Sequence, residues 1–175
     1  LSKTKIHVNV VKGYRFPVTA DSNTLVICVS VSGNTIETLS VLDAAYKKKC
    51  QIIGFSSGGK MSDYCTKNNI DHRFVTRHHS PRGSFTSYLY TILKVLHSFL
   101  DIKHQDVLES ITELESISKK INSSNITKNN PALNLAEWIK DIPMIYYPNG
   151  LQPVAIRFKN SLQENNKMHA IAEDV

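Results

Sequence analysis

Cysteine is scarce in this chain, long apolar runs are missing, and no basic stripe is interleaved with aromatic side chains. Each absence removes a class of protein. The three cysteines, Cys28, Cys50 and Cys65, stand far apart in 175 residues. They form no Cys-x-x-Cys pair and have no histidine at ligand spacing, so buried free thiols are expected rather than a metal or redox site. No apolar stretch approaches the roughly 20 residues that cross a bilayer. The opening Leu1-Ser2-Lys3-Thr4-Lys5 lacks the apolar core of a signal peptide, so the expectation is a cytoplasmic protein with no membrane partner. The formal charge of +6 is carried by scattered lysines. That pattern suits a small anionic substrate and argues against nucleic acid.

What is present is an ordinary globular composition, 41% hydrophobic and 21% charged, enough for one well-buried core. Hydrophobic periodicity divides it into alternating elements. Ile6 to Val11 reads as a strand, and Thr24 to Val29 as a strand buried on both faces and central in a parallel sheet. Thr35 to Lys49 reads as a helix with Ile36, Leu39, Leu42 and Tyr46 on one face. The alternation repeats with a strand at Gln51 to Phe55, a helix at Met61 to Asn68, a strand at Ile70 to Thr76 and a helix at Phe85 to Leu100. The expected fold is an α/β doubly wound parallel sheet sandwiched by helices.

From His104 to Asn122 an amphipathic helix is expected, with Val107, Ile111, Leu114, Ile117 and Ile121 on its apolar face. An Asn- and Ser-rich boundary at Asn122 to Asn130 follows. Ala132 to Ile139 reads as a helix, Met144 to Tyr147 as a strand, and Gln152 to Met168 as a helix that still continues near Val175. The division expected is a first domain over residues 1–104, connecting helices over 105–140, and the truncated start of a second domain over 141–175.

The chemistry begins at Ser30-Val31-Ser32-Gly33-Asn34-Thr35, which follows a buried strand and opens a helix. Free N–H groups and the positive end of the helix dipole collect an anion at such a place. Gly33 permits a sharp turn, and the hydroxyls of Ser30, Ser32 and Thr35 can donate to phosphate oxygens. On residue types alone, a capped turn with no ligand fits equally well.

The run Ser30-Val31-Ser32-Gly33-Asn34-Thr35-Ile36-Glu37-Thr38-Leu39 resembles the S-x-S-G-N-T-x-E-T-L signature of the sugar isomerase (SIS) family. The resemblance extends through Gly13-Tyr14, Gly58-Gly59-Lys60, Pro81-Arg82-Gly83, Ala155-Ile156-Arg157-Phe158-Lys159 and Gln163-Glu164-Asn165-Asn166-Lys167, which span nearly the whole chain in the family's order. Within the family, the Pro-Arg and Glu-Asn-x-Lys matches point to the branch that isomerises hexose 6-phosphates. The implied activity is aldose-ketose isomerisation of glucose 6-phosphate, and mannose 6-phosphate, to fructose 6-phosphate, with no metal and no cofactor.

The resemblance makes Ser30, Ser32, Gly33, Asn34 and Thr35 the phosphate cradle, Glu164 the base, and Arg82 the group that steadies the enediolate. Without it, Glu164 reads as a solvent-facing helical glutamate, Arg82 as a surface residue after a loop proline, and Lys60 as a turn lysine. His78 and His79 read as exposed loop histidines. The family's ring-opening histidine is expected beyond Val175, and its glycine-rich first segment before Leu1. The resemblance also implies two SIS domains per subunit and a homodimer with sites completed between them. Two alternatives stay open: another SIS isomerase, for arabinose 5-phosphate or a heptose phosphate, and a phosphosugar-binding regulatory domain that needs no base.

Overall fold

The computed structural model describes residues 5–175, so Leu1 to Thr4, part of the opening read for a signal peptide, lie outside the described residues. The chain divides into two compact units, one extending to Ile102 and the other running from Lys103 to Val175. No helix among the described residues is long and apolar enough to cross a membrane.

The first unit is built on three parallel strands in the order β1 (Leu25–Ser30), β2 (Gln51–Ser56) and β3 (Asp71–Phe74). Their register sets Cys28 beside Gly54 and Gly54 beside His72. Helices α1 (Ile36–Lys47) and α2 (Gly59–Lys67) cross between the strands. Parallel neighbours require such crossovers, and a helix supplies one without leaving backbone groups unpaired. Both helices pack on one face, where Cys28, Leu42, Met61 and Cys65 form a core flanked by Val26, Leu39 and Ile52. Helix α3 (Phe85–Leu96) covers the other face through Tyr88, which joins Phe55 and Val75 with Ile53, Ile92 and Val95 packed around them. The parallel sheet is therefore clothed on both sides, the doubly wound arrangement the periodicity implies.

Two expectations for this unit need correction. Residues 6–11 form no strand despite their alternation, and Val8, Val10 and Val11 are exposed. Alternation marks a strand only where a neighbour takes its hydrogen bonds, and β1 pairs with β2. Strand β1 is consequently an edge strand among the described residues, not a central one. Its Cys28 and Ser30 are buried, but Ile27 and Val29 are 37% and 40% exposed because α3 lies over Phe55 and Ile53 of β2. The irregular stretch before β1 is fastened from α1's end instead, where Lys48 Nζ donates to the carbonyls of Val18 at 2.8 Å and Ala20 at 3.3 Å.

The second unit contains α4 (His104–Ile121), α5 (Pro131–Trp138), β4 (Met144–Tyr147), α6 (Gln152–Ser161) and β5 (Ile171–Asp174). Asn130 starts α5 by accepting from the N–H groups of Ala132 at 3.0 Å and Leu133 at 3.3 Å, with Pro131 preset at the first helical position. Strands β4 and β5 pair in parallel, joined by α6. The helix expected to reach Met168 instead ends in a π-helical turn over Leu162–Asn166, stopped by Lys167 in the left-handed region at φ 57°. The chain then returns as β5 rather than continuing as helix. Residues 171–174 carry no strong strand signal of their own and are strand because β4 lies beside them.

Candidate functional site: an interlocked anion cradle

The loops that follow β1 and β2 meet at the carboxyl edge of the first sheet, where open α/β sheets place their ligands. Gly33 has φ +69°, and a methyl group there would sit 1.8 Å from the carbonyl oxygen of Gly58. Gly59, also at φ +69°, faces Ser32 so closely that its Cβ would lie 2.5 Å from that carbonyl oxygen. The two loops thus pack main chain against main chain, and only glycine fits at either contact.

Hydrogen bonds lock the same contact. Met61 N donates to Gly33 O at 2.9 Å, Lys60 N to Asn34 Oδ1 at 3.1 Å, and Ser57 N to Val31 O at 3.1 Å. The Ser57 hydroxyl also donates to Val31 O at 2.6 Å, and Tyr88 OH adds a longer bond of 3.3 Å to the same oxygen. Inside the first loop, Ser30 Oγ and Thr35 Oγ1 lie 2.8 Å apart, and Gly33 N donates to Ser30 Oγ at 3.1 Å. Asn34 N donates to Ser32 Oγ at 3.2 Å.

The five cradle residues therefore divide by position. Ser30 is buried and braces the turn from beneath, and Gly33 is buried against Gly58. Ser32, Asn34 and Thr35 are exposed at the mouth. Thr35 is the N-cap of α1 but makes no side-chain capping bond, and the helix's main-chain ladder opens only with Leu39 N on Thr35 O, at 3.0 Å. The N–H groups of Ile36, Glu37 and Thr38 precede that first bond and make up the positive pole of the helix. An anion held here meets main-chain donors and hydroxyls rather than a dedicated cation.

Arg82 lies on the connection from β3 to α3, at the same carboxyl edge, as the exposed first residue of a 3-10 turn, Arg82–Ser84. Buried Ser84 shapes that connection: its Oγ donates to Ser80 O and accepts from His78 N, both at 3.0 Å. His78 Nε2 is 2.9 Å from Ser87 Oγ, so this histidine helps to pin the loop to α3. Glu164 belongs to the second unit and is exposed on the π-helical turn between α6 and β5. Its position is at the amino edge of the β4–β5 pair, the edge opposite to the one that usually carries ligands.

All three thiols are free; Cys28 and Cys65 are buried as expected, whereas Cys50 is only half-buried. Burial pushes Cys28 up to about 12, with Cys65 adding to the shift. Among the described residues no three His, Cys, Asp or Glu side chains are grouped to hold a metal ion. One group escaped sequence reasoning. His72 on β3 lies beneath the second loop, 2.7 Å from Ser56 Oγ, and burial lowers its pKa, partly opposed by Asp71. Only the strand register reveals it.

The arrangement is an α/β domain of parallel strands flanked by helices, with a candidate anion cradle at a βα turn, and comparison with known proteins agrees with that fold. The chain is similar to proteins of the sugar isomerase (SIS) family. Residues 128–175 match the model of the bacterial phospho-glucose isomerase C-terminal SIS domain. Within the family the similarity runs to proteins named bifunctional phosphoglucose/phosphomannose isomerase. One from Caldicellulosiruptor bescii is 32% identical over 97% of this chain and 51% of its own length. Another from Thermoplasma acidophilum is 31% identical over 90% of this chain and 47% of its own. A D-glucosamine-6-phosphate 4-epimerase from Sulfolobus acidocaldarius is 30% identical over 89% and 48%. The chain thus spans about half the length of the curated relatives it matches. Among solved structures, tagatose-6-phosphate ketose/aldose isomerase from Escherichia coli shares the fold, with TM-score 0.60 and 16% identity over 89% of this chain and 44% of that one.

Proposed function

We propose that the protein is an aldose-ketose isomerase interconverting glucose 6-phosphate, and mannose 6-phosphate, with fructose 6-phosphate through an enediol. The observation that carries this reading is the interlocked cradle of Ser30 to Thr35, in a chain about 30% identical to phosphoglucose/phosphomannose isomerases. Main-chain donors fix the phosphate, the unreactive end of the sugar, and that binding energy serves to orient the reacting carbons.

Glu164 is the base in this proposal. Its carboxylate removes the proton from C2 of the open-chain aldose as the electron pair moves onto the C1 carbonyl oxygen. The O2 proton then passes to O1, the O2 electron pair forms the C2 carbonyl, and C1 takes the proton back from Glu164. Arg82 donates charge-assisted hydrogen bonds to the enediolate oxygen. The remaining parts of the reading are a homodimer, a cytoplasmic location, and a sugar phosphate as the small-molecule partner. The epimerase relative supports a second reading, in which the same cradle holds an amino-sugar phosphate and the chemistry falls at C4.

A coupled assay of the intact protein with fructose 6-phosphate separates the readings. Glu164→Gln is expected to lower kcat by roughly 10²–10⁴-fold with affinity for the phosphate ester unchanged. Near-normal turnover in that variant would remove Glu164 from the role. Binding without turnover in the wild type would favour a regulatory phosphosugar sensor, and turnover only of glucosamine 6-phosphate the epimerase.

A further inference from the structure

Beneath the cradle runs a chain of polar groups that no part of the isomerase reading uses. His72 lies next to Gly54 in the sheet register, and the missing side chain of Gly54 leaves the space that its imidazole occupies. A Cβ at Gly54 would lie 3.3 Å from His72 Cδ2 and 3.1 Å from Cys65 Sγ. Across this gap, His72 Nε2 reaches Ser56 Oγ at 2.7 Å, and Ser56 is completely buried.

The hydroxyl of Ser56 has one hydrogen and two lone pairs. Its hydrogen goes to Gly58 O at 2.8 Å, and one lone pair accepts from Gly58 N at 3.2 Å. The remaining lone pair faces His72, which assigns the hydrogen of the imidazole to Nε2. Ser56 therefore clasps the Gly58 residue at both its N–H and its C=O, and His72 completes the hydroxyl. Gly58 is in turn the residue against which Gly33 is packed.

We infer that His72 is a positioning residue for phosphate binding, acting through Ser56 and Gly58 on the main chain at Gly33. The inference rests on the reading of Ser30 to Thr35 as a phosphate site. A neutral donor is what the position requires. The imidazole is flanked by apolar Met61 and Cys65 on α2 and by Asp71 on its own strand, whose charge is paired with Arg73 at 2.7 Å. A charge placed there would be poorly solvated, whereas an N–H directed at Ser56 costs nothing in this respect.

The test compares wild type, His72→Leu, His72→Gln and Ser56→Ala in the intact protein. Binding of fructose 6-phosphate and of inorganic phosphate is followed by calorimetry, alongside thermal unfolding. His72→Leu is expected to weaken both ligands about five- to tenfold, the scale of one lost hydrogen bond. His72→Gln, whose amide N–H can reach Ser56, should return affinity to within about twofold of wild type. The double variant His72→Leu/Ser56→Ala should bind no worse than the weaker single variant, since both cut one relay.

Equal affinity in His72→Leu and wild type overturns the inference, as does a Gln variant as weak as Leu, which would mark a packing role. Additive losses in the double variant also overturn it. If His72→Leu fails to fold, Ser56→Ala carries the same comparison, and wild-type affinity there is refuting. A wild type that binds neither probe removes the cradle reading itself, while normal wild-type binding with an indifferent His72→Leu removes only the positioning role.

Discussion

The first unit closes around Leu42, Phe55, Met61 and Cys65, each fully buried, whereas the second buries Asn130, Tyr147, Ala155 and Ala170 and leaves α4 and α5 without a buried residue. The apolar stripe expected on α4 is mostly open, with Ile111, Leu114, Ile117 and Ile121 exposed and Val107 half-buried. The difference matters because the units carry different parts of the proposed chemistry. A cradle must hold main-chain donors to within a fraction of an ångström, and it stands on the better-packed unit. The candidate base stands on a turn whose supporting side chains are mostly solvated.

This contrast predicts a large asymmetry in stability. Phe55→Ala should cost about 3–5 kcal/mol in denaturant unfolding. Trp138→Ala, at a side chain 76% exposed, should stay within about 0.5 kcal/mol. A Trp138 loss as large as that of Phe55 would break the comparison, since it would mean that the second unit has its own core to defend.

A smaller effect tests the cradle within its unit. Gly33→Ala adds a methyl group against Gly58 O at a backbone angle that alanine rarely adopts. Unfolding should become easier by about 2–3 kcal/mol, with loss of phosphate binding measured by calorimetry. Alanine tolerated in both respects would show that the two loops are not locked.

The smallest effect concerns acid. Burial holds His72 below its ordinary value of 6.5. In the window between 6.5 and that lower folded value, the unfolded chain binds a proton that the folded chain refuses, so stability present above the window is lost as the pH falls through it. Asp71 opposes the shift and keeps it modest. Unfolding curves at several pH values should therefore show a shallower acid loss in His72→Gln than in wild type. Parallel curves would contradict the assignment.

Sequence patterns revealed much of this, and what they missed has definite causes. Strand β4 was legible to the residue, and α3, α4 and α5 start at or within one residue of where the sequence pattern put them, α5 with a capping Asn130. The false strand at residues 6–11 and the unseen strand β5 are opposite errors with one origin, since pairing rather than alternation decides which segment is extended. The loop's place between a strand and a helix was legible. Its interlock was not, because Gly33 and Gly58 are neighbours only through the β1–β2 register. His72 was hidden for the same reason. Glu164 was found through motif resemblance alone, as neither the amino-edge position nor the π-helical turn has a pattern that periodicity could detect.

The contact of Gly33 with Gly58 also limits how such a site can diversify. Where two stretches of main chain touch with no room for a methyl group, mutation has no side chain to adjust, so the shape of the socket is set by the backbone alone. On the proposed reading it grips only the phosphate, which many sugar phosphates share. Choosing among them falls to groups that reach past the phosphate to the carbons beyond.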